Sequence, residues 1–193
     1  MADIDPSAAG VASFAHELGV LKRLRRAGWW QVGVRDPESV AEHSLRVAQL
    51  AALIAAEEGA DPARAAYLGL WHDSQETRIT DLPHTSRAYL TRTADNETIT
   101  RDQVGHLPDA AARTVTEAVA EYEARETLEA RCAKDADKLE CLLQALEYRA
   151  AGHQHVQRWI DSSRSGLTTS FAARVADAAL AGSPMDWHDQ ARS

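Results

Sequence analysis

The sequence predicts an all-α protein, a helical bundle formed by one domain. Three observations predict it. Apolar residues recur at three- and four-residue steps along most of the chain, the period of one helix face. Ala, Leu, Glu and Arg, all good helix formers, dominate the composition. Alternating runs of Val, Ile and Thr, which would mark half-buried strands, are short and scarce. A chain of 193 residues with 45% apolar content can bury one sizeable core.

Residues 1–12 are small and polar and read as a flexible N-terminus. The domain follows over residues 13–182, and residues 183–193 read as a loose tail. A first helix is expected from Phe14 to Arg26, broken by Gly28 before Trp29 and Trp30, with a loop from Gln31 to Glu38. Ser39-Val40-Ala41-Glu42 has the spacing of a capping box, with Ser at the cap and Glu three residues on. His43 then falls in or just beyond the first turn of a buried helix carrying Leu45, Val47, Leu50 and Ile54, ended by Gly59. Asp61-Pro62 is a second start signal, because Asp caps and Pro suits the first helical position. That helix runs to His72-Asp73. Residues Arg78 to Leu107 read as loop-rich. Three further helices are expected: Pro108-Asp109 to about Arg125, Thr127 to Ala151, and Thr169 to Ala181.

Charge and composition exclude several classes. A net charge of −8 disfavours binding to polymeric nucleic acid, which calls for a basic footprint. The cluster Lys22, Arg23, Arg25 and Arg26 reads as a solvated helix face, or as an attractor for one small anion. No apolar run reaches the length of a membrane span, and no signal pattern opens the chain, so a cytoplasmic location is expected. Cys132 and Cys141 lie in one expected helix, about 13 Å apart along its axis, too far for a disulfide. There is no GxxxxGK loop, HExxH or GxSxG elbow, so P-loop, zincin and serine-hydrolase chemistry find no support.

The chemistry lies in four side chains: His43 early in one helix, His72-Asp73 at the end of the next, and Asp137 within a later one. A lone helical His is usually a core residue, and an HD dipeptide is common by chance. The ordered set is more telling, because burying such groups without a partner is costly and a shared cation supplies one. Two imidazoles and two carboxylates suit a divalent transition metal better than a soft-metal site. Glu76, four residues after His72, would project from the same helix face. Asp81 follows in Thr80-Asp81-Leu82-Pro83. Carboxylates beside a metal can orient water or carry a proton.

The stretches LKRLRRAGWWQVGVRDPESVAEHSLRV (Leu21 to Val47), WHDSQETRITDLP (Trp71 to Pro83) and AKDADKLECLLQALEY (Ala133 to Tyr148) resemble the HD-domain 5′-deoxynucleotidases, especially their eukaryotic-type members. The resemblance covers residues 14–180. It implies an HD-domain helical bundle, a metal-dependent phosphatase acting on nucleoside monophosphates, and a homodimer. It implies His43, His72, Asp73 and Asp137 as ligands of a divalent ion (Co, Mn, Fe, Zn or Mg). It also settles Asp137 over Asp135, because the family's Asp is followed three residues later by the equivalent of Glu140. Glu76 and Asp81 are implied as essential acids, able with the Leu82 carbonyl to hold a second ion. The loop Asp81-Leu82-Pro83-His84 and Trp29 are implied as substrate contacts. Where the bacterial enzyme has an Arg before the tryptophan, this chain has Gly28, so another cation must meet the phosphate. Arg35, Arg78 and Arg87 are the candidates, Arg87 first. The alternatives are another HD hydrolase (a phosphodiesterase, triphosphohydrolase or biosynthetic phosphatase) and a non-catalytic nucleotide-binding protein. Between the HD pair and Asp137 only His84 and His106 occur, which disfavours multi-metal phosphodiesterases and di-iron oxygenases.

Overall fold

A computed structural model describes residues 5–192. Among them are ten α-helices: α1 Pro6–Leu18, α2 Val40–Glu58, α3 Pro62–Trp71, α4 Glu76–Ile79, α5 Asn96–Gln103, α6 Asp109–Ala124, α7 Leu128–Ala150, α8 Gln157–Ser165, α9 Ser170–Ala181 and α10 Asp186–Gln190. The one extended pairing among these residues is an isolated antiparallel bridge, Arg25 to Ser39. No helix among them is long and apolar enough to cross a membrane.

The expected start signals set the central helices. Ser39 caps α2 with its hydroxyl on the Glu42 amide, while the Glu42 carboxylate accepts from the Ser39 amide at 2.6 Å, a complete capping box. Gly59 closes α2 at φ +77°, a left-handed conformation that favours glycine. The Asp61 side chain accepts from the Ala63 and Arg64 amides and starts α3, with Pro62 in its first turn.

The long helix α7 runs through the core. Its buried Leu139, Leu142 and Leu146 join Val47, Ala51 and Ile54 of α2, Leu68 of α3, Ile160 of α8 and Ala172 and Ala176 of α9 in one cluster. Fully buried alanines such as Ala51, Ala55, Ala65 and Ala136 let the helix axes come close. Gly69 takes this furthest: a Cβ there would lie 3.2 Å from Ala48 Cα and Val47 Cγ1. A second, smaller cluster of Phe14, Val104 and Val115 joins α1 to the α5–α6 side.

Several expectations need correction. The segment read as loose over 1–12 is helical from Pro6, because the Asp5 side chain accepts from the Ser7 amide and Pro6 opens the helix; residues 1–4 lie outside the described ones. The helix expected from Phe14 to Arg26 ends at Leu18. Gly19–Lys22 tighten into a 3-10 turn, and Arg26 then leaves helical geometry as its amide donates to the Glu38 carbonyl at 3.0 Å. The loop Gln31 to Glu38 begins inside a 3-10 turn, Ala27–Val32. The stretch Arg78 to Leu107 contains α5, capped by Asp95. Helix α8 was not expected, and the tail contains α10.

Candidate functional site

The bundle brings the four distant residues together. The capping box fixes the start of α2, which places His43 one turn in and fully buried. Gly69, pressed against α2, carries the carbonyl that accepts from His72 Nδ1 at 2.7 Å. His72 caps the C-terminus of α3, and Asp73 follows in the turn. Asp137 comes from the middle of α7.

His43 Nε2 lies 3.4 Å from Asp137 Oδ1 and 3.7 Å from Asp73 Oδ2. His72 Nε2 lies 3.0 Å from Asp73 Oδ2 and 3.9 Å from Asp137 Oδ1. Neither Nε2 atom has a hydrogen-bond partner, although both are buried. Native proteins rarely leave buried polar atoms so. Among the described residues, His43, His72 and Asp73 have ligand atoms close enough to share one ion, and Asp137 Oδ1 adjoins both imidazoles. Two nitrogens and two carboxylates converging on one point are a donor set that fits a divalent cation.

The field around this point is strongly polarised. Burial alone would raise the pKa of Asp73, but the charge of the adjoining His72, and Arg26 beyond it, hold it well below the usual carboxylate range. Burial opposes ionisation of Asp137 too, and Lys134 with the two imidazoles outweighs it. Burial and Arg26 disfavour a charged His43, yet the Glu140 and Asp137 carboxylates raise its pKa to about 10.

A cavity of about 460 Å³ opens over this cluster. Glu76, Asp81, Leu82, Pro83, His84 and Trp29 line it, as do His72, Asp73 and Asp137. Glu76 does not continue the helix of His72. The chain tightens after Trp71 into three-residue turns, and α4 restarts at Glu76, which still faces the cavity. Its Oε2 is buried and unpaired; burial, then the charge of Asp73, raise its pKa to about 9. Asp81 accepts a short hydrogen bond from the Ala27 amide, and Arg26 Nη1 lies 3.8 Å away. Trp29 is only 2% exposed. Its ring stacks on Trp159 and meets Tyr148 edge-on, and its Nε1 donates to Glu38 at 3.0 Å. It therefore meets the cavity as part of the wall.

Two of the three expected phosphate cations, Arg78 and Arg35, do not line the cavity. Arg78 is bound by both Glu17 oxygens, at 2.7 and 3.0 Å, and Arg35 is not among the lining residues. Arg87 falls in the 3-10 turn His84–Ala88, but its side chain lies outside the described residues. Arg26 lines the cavity, with Nη1 at 3.4 Å from Asp73 Oδ2. The basic cluster had flagged it as an anion attractor, but nothing in the sequence showed that the Arg25–Ser39 bridge would turn it inward. Lys134 was also missed. Its Nζ lies 2.8 Å from Asp137 Oδ2 and 3.0 Å from the Tyr122 hydroxyl. Lys134 and Glu140 stand three residues either side of Asp137, a spacing that puts them on one helix face and could have revealed both. Asp135, by contrast, serves the fold: its Oδ2 accepts from the Thr168 and Thr169 amides at the start of α9.

Fold and site together define an all-helical protein whose buried imidazoles and carboxylates can hold a divalent ion beneath an open cavity. Residues 18–178 match the HD domain family, and the chain belongs to it. It is 32% identical over 143 residues to the 5′-deoxynucleotidase HDDC2 of Mus musculus, covering 74% of this chain and 71% of that protein. Among solved structures it is similar to a conserved hypothetical protein from Pyrococcus furiosus, with TM-score 0.73, 30% identity, and coverage of 89% of this chain and 99% of that one. A predicted metal-dependent phosphohydrolase from Magnetospirillum magnetotacticum matches with TM-score 0.65 at 27% identity, covering 91% of each chain.

Proposed function

We propose that the protein is a metal-dependent phosphohydrolase that removes the 5′-phosphate from deoxyribonucleoside and ribonucleoside monophosphates. The observation that carries this reading is the pair of buried Nε2 atoms, on His43 and His72, left without hydrogen bonds and facing Asp73 and Asp137. These four residues would hold the ion, of the Co, Mn, Fe, Zn or Mg group. When bound, a divalent cation supplies a Lewis acid for phosphoryl oxygens and lowers the pKa of water.

The chain's own residues do the rest. Arg26, Arg92, Arg125 and Lys134 bring positive charge to a cavity also lined by five carboxylates, those of Asp73, Glu76, Asp81, Glu123 and Asp137, so a phosphate dianion can enter. Glu76 positions the attacking water or gives a proton to the 5′ oxygen as the P–O bond breaks. Asp81, fixed by the Ala27 amide, would meet a sugar hydroxyl or assist proton transfer. Leu82, Pro83, His84 and Arg87 belong to the segment that would receive the nucleoside, with Trp29 behind it. A second ion at Glu76 and Asp81 would have to compete with Arg26 for Asp81. The exposed Leu45 and Leu53 of α2 offer apolar surface to the expected homodimer. The two unpaired cysteines fit a cytoplasmic setting.

The test is phosphate release by metal-stripped protein reloaded with each cation. The panel holds deoxyribonucleoside and ribonucleoside monophosphates, triphosphates and cyclic nucleotides. Monophosphates should be hydrolysed only after reloading. Turnover of triphosphates or cyclic nucleotides alone would move the protein to another HD activity. Nucleotide binding with no turnover under any cation would make it a binding protein.

A further inference from the structure

Behind the metal cluster, on the side away from the substrate cavity, α2 and α7 are joined by a ladder of polar contacts. Glu140, fully buried, uses its two oxygens in opposite directions. Oε2 lies 2.5 Å from His43 Nδ1. Oε1 accepts from Arg46 Nε at 3.1 Å and from Arg46 Nη2 at 2.8 Å. Arg46 is fixed in turn: Nη2 donates to Gln144 at 2.8 Å and Nη1 to Glu147 at 2.6 Å. Residues 140, 144 and 147 share one face of α7, and 43 and 46 share one face of α2.

We propose that Glu140 and Arg46 are positioning residues of the metal centre: Glu140 holds His43 with its proton on Nδ1, so that Nε2 faces the ion, and Arg46 holds Glu140 in that orientation. An ionised carboxylate only accepts, so the nitrogen it touches must donate and the other is left to ligate. His72 reaches the same result by a different route, through the Gly69 backbone carbonyl. Imidazole ligands of metals generally donate their second N–H to a carboxylate or a carbonyl, and removing that partner commonly weakens metal binding about 10–100-fold. The ladder is not needed to hold the two helices together. Val47, Ala51 and Ile54 of α2 already share an apolar core with Leu139, Leu142 and Leu146 of α7. Burying a charge at Glu140 costs free energy that an apolar pair would not, which points to a task beyond adhesion.

This inference rests on the proposed metal site, and one experiment separates the two. Metal-stripped wild type, Arg46→Met, Arg46→Lys and Glu140→Gln are titrated with cobalt(II), read by calorimetry and by the visible absorption of the bound ion. Thermal unfolding of the metal-free forms is measured in parallel. Arg46→Met should bind cobalt about 10–100-fold more weakly, with an altered absorption spectrum, and Arg46→Lys should recover part of both. Glu140→Gln, which keeps an acceptor for Nδ1–H but loses the charge that faces His43 directly, should bind cobalt at least as weakly as Arg46→Met. Arg46 is 30% exposed, so its variants decide the matter should Glu140→Gln fail to fold. Wild-type affinity and spectrum in Arg46→Met, with or without a drop in thermal stability, would overturn the proposal and leave the metal site standing. Wild type that takes up no cobalt would overturn both.

Discussion

At the floor of the cavity, His43, His72 and Asp137 sit on or directly after α2, α3 and α7, and each is held by a named neighbour: Glu140, the Gly69 carbonyl, and Lys134 with Tyr122. At its mouth, His84 opens a 3-10 turn and Leu82 and Leu90 flank it in irregular backbone, with His84 and Leu90 exposed and adjacent Tyr89 87% exposed. The difference follows from what each end must do. Bond breaking needs groups fixed to fractions of an ångström, which packed helices supply. Recognition tolerates movement, and segments with few core contacts open at low cost. If this division is right, substitutions at the floor should change chemistry or metal content, and substitutions at the mouth should change binding.

The largest effect is expected at Glu76, where the two ends meet. Glu76→Gln keeps the shape and removes the carboxylate. Its kcat should fall by about 10²–10⁴, the usual range for a proton-transfer group, while metal content stays at the wild-type level. Steady-state phosphate release and metal analysis of the same sample would check both. Near-normal turnover would remove Glu76 from the mechanism and leave the floor to the four ligands alone.

A smaller effect sharpens the contrast within the floor itself. Asp135 and Asp137 are two residues apart on α7, but the first looks toward α9 and the second toward the cation cluster. Asp135→Ala strands the Thr168 and Thr169 amides at a largely buried position and should cost about 1–3 kcal/mol of stability. The metal content of the folded protein should not change. Denaturant unfolding and metal analysis would test this; loss of the ion from folded Asp135→Ala would show that the two aspartates had been assigned the wrong way round.

The same contrast explains what could be read in the sequence. The floor was legible because its helices carry strong local signals: Ser39 with Glu42, Asp61 with Pro62, and Gly59 at a left-handed turn. Once those starts are set, helix geometry delivers His43 and His72. What escaped was held by contacts distant in sequence. Helix α1 has the same Asp-Pro start as α3, but its small residues carry no apolar stripe; its place depends on Gly10 lying against the His106 carbonyl, where a Cβ would be 2.0 Å from the oxygen. Helix α5 is mostly polar and is anchored by buried Ile99 and by the Gln75–Thr100 hydrogen bond. Arg26 was visible as a charge but not as a cavity residue, because the neighbouring Arg25–Ser39 bridge and its own amide bond to the Glu38 carbonyl set the backbone there. No period or motif encodes such contacts.

The smallest effect is expected at the mouth and is the one most able to break the division. Leu90 lines the cavity yet is 55% exposed and belongs to no core cluster named above. Truncating it to Ala should change stability by no more than about 0.5 kcal/mol, as for surface positions generally. A buried leucine such as Leu139 should cost about 2–5 kcal/mol on the same change. If Leu90 touches the nucleoside, it does so in the ground state and the transition state alike. Its loss should then raise KM about fivefold with kcat unchanged, equivalent to about 1 kcal/mol of uniform binding. A fall in kcat with KM unaltered would mean that the mouth helps to assemble the reacting groups, and the separation between a rigid chemical floor and a permissive entrance would no longer hold.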